Sequence, residues 1–201
     1  MSNQSGSIYG LTILSPIRED SDSEIPHNVA IRAYLAALPR DQRSPFAHVS
    51  STHMARLAVL DDVAYSGIPA FGEYLATQYL VFEANFDGDL GVYLARMAQK
   101  TPRFVDSLWK HCVGYPGVAD VRAFVDYMRK CQVESTFYFA DVNDKTVDQT
   151  LCALQTQRSV SAFILENQGK RGVELQKAFV GFLRSLGHTA PAKLGAAVER
   201  F

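Results

Sequence analysis

The chain has 201 residues, 47% of them hydrophobic, with nine Tyr and twelve Phe, enough to bury one substantial core and most simply one domain spanning residues 1–201. Twenty basic residues against twenty-one acidic ones leave a formal charge of −1 with no long Lys/Arg block, which argues against a nucleic-acid partner and for a small or apolar one. The apolar runs are far shorter than the ~20 residues that cross a bilayer, and the opening MSNQSGSIYG lacks the basic-then-apolar layout of a secretory signal, so no membrane partner is expected and the protein reads as cytoplasmic. Cys112, Cys131 and Cys152 are odd in number and form no C-x-x-C, which suits reduced thiols in packing roles.

Residues 8–15, IYGLTILS, are rich in β-formers and stop at Pro16, predicting a first strand followed by the polar loop REDSDSE. Ile25, Val29, Ile31, Leu35 and Leu38 then recur at broadly helical spacing up to Pro39, and residues 40–45 read as a loop. THMARLAVL (52–60) and QYLVFEANF (78–86) predict two further strands; the seventeen residues between them exceed a tight hairpin and predict a long loop over one edge. Leu90, Leu94, Met97 and Ala98 start a helical pattern that Thr101-Pro102 restarts through Phe104, Val105, Leu108 and Cys112, with Thr101 as cap and Pro102 at the first helical position.

A turn-rich HCVGYPG, a helix near 118–130 and a fourth strand in STFYFADV (135–142) complete a β-α-β-β-α-β order with one extra helix. The expected fold is therefore α+β, a ferredoxin-like antiparallel sheet over about residues 8–142, with a helical extension over about 144–187 opened by Thr146 or Asp144 as cap. Phe82, Phe86, Leu94, Leu108 and Phe137 are the predicted core.

The stretch YLVFEANFDGDLGVYL (79–94) carries Glu83, Asp87 and Asp89 and raises the question of a metal site. A calcium loop with Gly88 as its sixth residue puts Leu94 at the twelfth position, where a bidentate Glu is needed, so no metal is expected. Asp87-Gly88 reads as a turn and Asp89 as the cap of the next helix. Strand parity puts Leu80, Phe82, Ala84 and Phe86 on one face, toward the helices, and Glu83 and Asn85 on the other with Tyr79 and Val81. Apolar surface with embedded polar groups suits the floor of a pocket.

His53 and Arg56 fall on opposite faces of the preceding strand, and the sequence leaves open which of them shares the face of Glu83. Arg56 with Glu83 makes a charge pair, whereas His53 with Glu83 orients an imidazole for proton transfer. A strand-anchoring ion pair competes with ligand binding for Arg56, and a hydrogen-bonded core histidine competes with catalysis for His53. His111 lies in a spacing that matches no zinc motif and reads first as a capping or packing residue.

Three segments, LTILSPIRED, SPFAHVSSTHMARLAVLDD and LVFEANFDGDLGVYL, followed by HCVGYPG, resemble a group of uncharacterised bacterial proteins over about residues 10–142. The group's pattern is roughly T-x-x-x-P-I-R, S-P, T-H-x-A-R and L-F-x-x-N-[FY]-D-G. The resemblance implies a ferredoxin-like fold and transfers no function to this chain. A looser similarity links Asp87-Gly88 and Arg56 to the distal Asp-Gly and Arg of haem-binding dye-decolourising peroxidases, with His111 as the implied axial ligand. Ala84 stands where their G-x-x-D-G motif has its first Gly.

The functional expectation is a small-molecule-binding protein or cofactor-independent enzyme for an apolar, anionic or oxygenated ligand. In it His53 and Glu83 move protons while Arg18, Arg56 and Asn85 bind substrate. A non-catalytic homodimerisation or interaction module that buries the same sheet face is the alternative, and a haem protein is a third class.

Overall fold

The computed structural model describes residues 3–19, 23–39, 44–62, 67–68 and 75–186. It is an α+β structure whose four-stranded antiparallel sheet runs β1-β2-β4-β3. The strands are β1 (Gln4–Ser5), β2 (Ile8–Pro16), β3 (Thr52–Leu60) and β4 (Tyr79–Asp87), and the helices are α1 (His27–Ala36), α2 (Leu90–Lys100), α3 (Pro102–Trp109), α4 (Val121–Lys130), α5 (Val147–Glu166) and α6 (Gly172–Leu186). A 3₁₀ turn, Pro45–His48, leads into β3. Most of the long loop expected after residue 60, and most of the one at 40–45, lies outside the described residues.

Period-two alternation sets the layers. Leu80, Phe82, Ala84 and Phe86 of β4 are buried beside Leu11 and Ile13 of β2, against Tyr93, Leu94 and Met97 of α2, Leu108 and Trp109 of α3, and Phe124 and Met128 of α4. Each fully buried side chain of this size contributes roughly 1.5–3 kcal/mol of transfer free energy. The Trp109 indole donates to Ser15 Oγ at 3.1 Å, which satisfies two buried polar groups at once. Asp89 caps α2 by accepting from the Val92 amide, and Thr146 caps α5 in a reciprocal box with Gln149. Thr101 does not cap α3 with its side chain; its hydroxyl donates back to the Met97 carbonyl at 2.7 Å and closes α2 instead.

The expected fourth strand at 135–142 does not form. The edge of β2 is already occupied: β1 pairs with Ile8 and Tyr9, Cys131–Val133 bond to Thr12 and Leu14, and the Val113 amide donates to the Pro16 carbonyl. With those backbone groups satisfied, the alternating STFYFADV has no ladder to join beside β2. It crosses the sheet face that points away from the helices. The Tyr138 ring there lies so close to Gly10 that a Cβ at that position meets ring carbons at 2.4–2.8 Å, which is why glycine stands there. Phe137, expected in the core, is 83% exposed, and Phe139 is 66% exposed. The other predicted core residues, Phe82, Phe86, Leu94 and Leu108, are fully buried.

Candidate functional site

The register of β3 against β4 pairs Arg56 with Glu83, and both with Thr12 of β2, in one row across the sheet. Arg56 Nη2 meets Glu83 Oε2 as an ion pair whose arginine side chain is 68% exposed. Leu14, Val81 and Ala58 form the next row, then Pro16, Tyr79 and Leu60, so one end of this face is apolar. At its other end the Tyr138 hydroxyl donates to Asn85 Oδ1 at 3.1 Å, so the chain itself covers Asn85.

His53 takes no part in that row. Thr52 pairs with Phe86 and Met54 with Asn85, so His53 is the extra residue of a β-bulge. A bulge bends the strand and re-aims a side chain, and here it turns His53 toward the end of β4. Its Nε2 donates to Asp87 Oδ1 at 2.8 Å, while Asp87 Oδ2 accepts from the Val147 amide at the start of α5, also at 2.8 Å. One carboxylate thus orients an imidazole and fixes a helix N-terminus, where the helix dipole favours a negative charge. The next residue, Gly88, sits at φ 96°, a conformation that lets the chain turn directly from β4 into α2.

An ionised carboxylate only accepts, so Nε2 holds a proton and the neutral ring keeps its lone pair on Nδ1. His53 lines an open cavity of about 360 Å³ together with Thr52 and Thr150 and the apolar Phe46, Met54, Val147 and Leu151. Its floor is anchored in the core. Phe46 stacks on Phe82 at 5.5 Å and meets Phe104 edge-on, and the Thr52 hydroxyl donates to Tyr93 Oη at 3.2 Å. Burial pushes the Tyr93 phenol up to about 12, so it stays protonated beneath the site.

The five residues singled out from the sequence therefore separate into three places. His53 stands with Asp87; Arg56, Glu83 and Asn85 share the sheet face, four residues of strand or roughly 13 Å from Asp87 for Glu83. Arg18 is elsewhere: its Nε donates to the Cys112 carbonyl at 3.2 Å and its amide to the His111 carbonyl, tying the end of β2 to the turn after α3. Asp87, read from the sequence as a turn residue, is the member that was missed, along with Thr150 and Leu151 of α5. Its local signal, Asp-Gly, is that of a turn, and the partner that gives it a second role lies 34 residues away.

The residues that the peroxidase similarity implies do not fit a haem. Asp87 is bonded to His53 and to Val147, Arg56 is paired with Glu83, and His111 Nδ1 is 2.8 Å from His27 Nδ1. Neither Arg56 nor His111 lines the cavity that holds His53. Among the described residues no group of three His, Cys, Asp or Glu side chains is placed to hold a metal ion, and no helix is long and apolar enough to cross a membrane. No family model, curated protein or solved structure matches the chain.

Proposed function

We propose that the protein binds a small apolar, oxygenated molecule in the cavity beside His53 and acts on it without a cofactor by proton transfer. The observation that carries this reading is the double use of Asp87, which fixes both the tautomer of His53 and the helix that walls the cavity. His53 is the proton acceptor through Nδ1 and Asp87 is its orienting residue. The apolar side chains select the rest of the ligand. A cytoplasmic location with reduced cysteines belongs to the same reading.

A panel of apolar ketones and β-keto acids in D2O, followed by proton NMR, tests it directly. The expected result is α-proton exchange by the unmodified protein and a loss of roughly 100-fold or more in His53→Gln. Exchange that survives the substitution, or a panel with no exchanging member, removes the proposal.

The finer fold reading that accompanies it is ferredoxin-like. It is supported by the central order β2-β4-β3 and by the placement of Cys131–Val133 on the outer edge of β2, where such a fold has its fourth strand. One observation favours an interaction module as a second reading: the apolar end of the outer sheet face, where Leu60 is 39% exposed, has Arg56–Glu83 beside it to fix register.

A further inference from the structure

We propose that the α5–α6 hairpin is a dimerisation arm that packs face to face against the same hairpin of a second copy of this chain. The two helices pack against each other through their aromatic residues: Phe163 of α5 stacks on Phe182 of α6 at 4.6 Å and lies 5.9 Å from Phe179. Val147, at the base, is the single buried residue of α5, and α6 buries none. A helix pair of this kind holds its shape by covering an apolar face, and no element among the described residues covers that face.

Charge around the helices is one-sided, while exposed apolar side chains also stand on the outer flanks of the pair at Leu154, Leu165, Val173 and Val180. At about 100° per residue, taking Phe163 and Phe182 as the facing positions, Val160 and Ile164 lie about 60° and 100° round α5, and Phe179 and Leu183 lie at the same angles on α6. For two antiparallel right-handed helices those positions fall on one side of the pair. Ile164 is 58% and Leu183 50% exposed, with Val160 and Phe179 also exposed.

No charged residue falls on that side. The cations Arg158, Lys177 and Arg184 lie about 140–160° round in the opposite sense, and Asp148, Glu166 and Glu174 about 60–80° in that sense. A solvated surface carries roughly 25–35% charged residues, whereas α5 has three in twenty.

These features select the occupant. A charge-free face meets itself under a two-fold axis with no like-charge repulsion, and an isologous contact needs only one patch. The overlapped part of the hairpin, set by the fifteen residues of α6, is about 22 Å long and about 20 Å wide. Two such faces stacked into a four-helix bundle bury on the order of 1,000 Å², the lower bound of a specific association. This contact is distinct from the outer sheet face and independent of whether the His53 cavity is catalytic.

Sedimentation velocity of the full chain at concentrations up to about 100 µM reads the association. A dimer is expected, with association weakened at least tenfold in Ile164→Glu/Leu183→Glu and unchanged in Arg158→Glu on the opposite flank. Hydrogen exchange of the unmodified protein adds a readout free of substitutions: protection over residues 160–183 rises with concentration. Any of four results overturns the proposal: a monomer throughout; a dimer indifferent to Ile164→Glu/Leu183→Glu; a dimer dissolved instead by Leu60→Glu on the sheet face; or a monomer that binds phosphatidylglycerol vesicles through the hairpin.

Discussion

His53 and Asp87 meet at 2.8 Å because an extra residue in β3 turns the imidazole toward the last residue of β4, and the same carboxylate holds the first amide of α5. The His53–Asp87 pair and the wall of the cavity beside it therefore stand or fall together.

Asp87→Ala removes both acceptors at once and leaves the Val147 amide half-buried without its partner. The expected cost is about 1–3 kcal/mol in chemical denaturation. Asp87→Asn, which keeps an acceptor for the amide, is expected to recover most of that stability while altering the tautomer preference of His53, read by nitrogen-15 shifts of the imidazole. Equal destabilisation by both substitutions would show that the charge on α5, and not the hydrogen bond, is what matters there.

For Arg56 the exposure of its side chain decides between its two roles. An ion pair with a largely solvated guanidinium is expected to contribute about 1 kcal/mol or less, so Arg56→Ala should lower stability only slightly and leave a ligand in the His53 cavity bound as before. A double-mutant cycle with Glu83→Ala reads the coupling. An affinity loss of roughly 2 kcal/mol or more in Arg56→Ala would return this residue to the binding site.

The His27–His111 contact gives the fold a pH dependence of definite sign. Burial first, then the charges of Lys110, His27 and Arg18, hold His111 below the ordinary imidazole value. The unfolded chain then binds the proton more readily than the folded one. The contribution is complete above the ordinary value near 6.5 and is lost as pH falls through the lowered folded value. Melting temperature is expected to decline on acidification across that window, and less steeply in His111→Gln. Parallel profiles for the two proteins would exclude His111 as a source of the acid sensitivity.

Thiol chemistry separates the three cysteines. Cys112 is fully buried, and burial raises its thiol to about 12, whereas Cys131 is half-buried and Cys152 exposed. Titration with a chromogenic disulfide is expected to modify Cys152 first, Cys131 slowly and Cys112 only after denaturant is added. Rapid labelling of Cys112 in the native protein would contradict its placement in the core.

What the sequence determined by itself was set by local physics. Alternation over 79–87 decided that Leu80, Phe82, Ala84 and Phe86 face the helices, because side chains on a strand alternate whatever the neighbours are. The caps Asp89 and Thr146 and the absence of a twelfth calcium ligand were equally local. Tertiary structure alone decided the rest. STFYFADV has the pattern of a strand, yet whether it pairs in the expected place depends on the edge of β2, which β1 and Cys131–Val133 occupy. Alternation leaves Arg56 and His53 on opposite faces but is blind to register, and a one-residue bulge paired Arg56 with Glu83 while sending His53 to Asp87. That outcome depends on hydrogen bonds between segments distant in sequence, for which no short stretch of the chain carries the information.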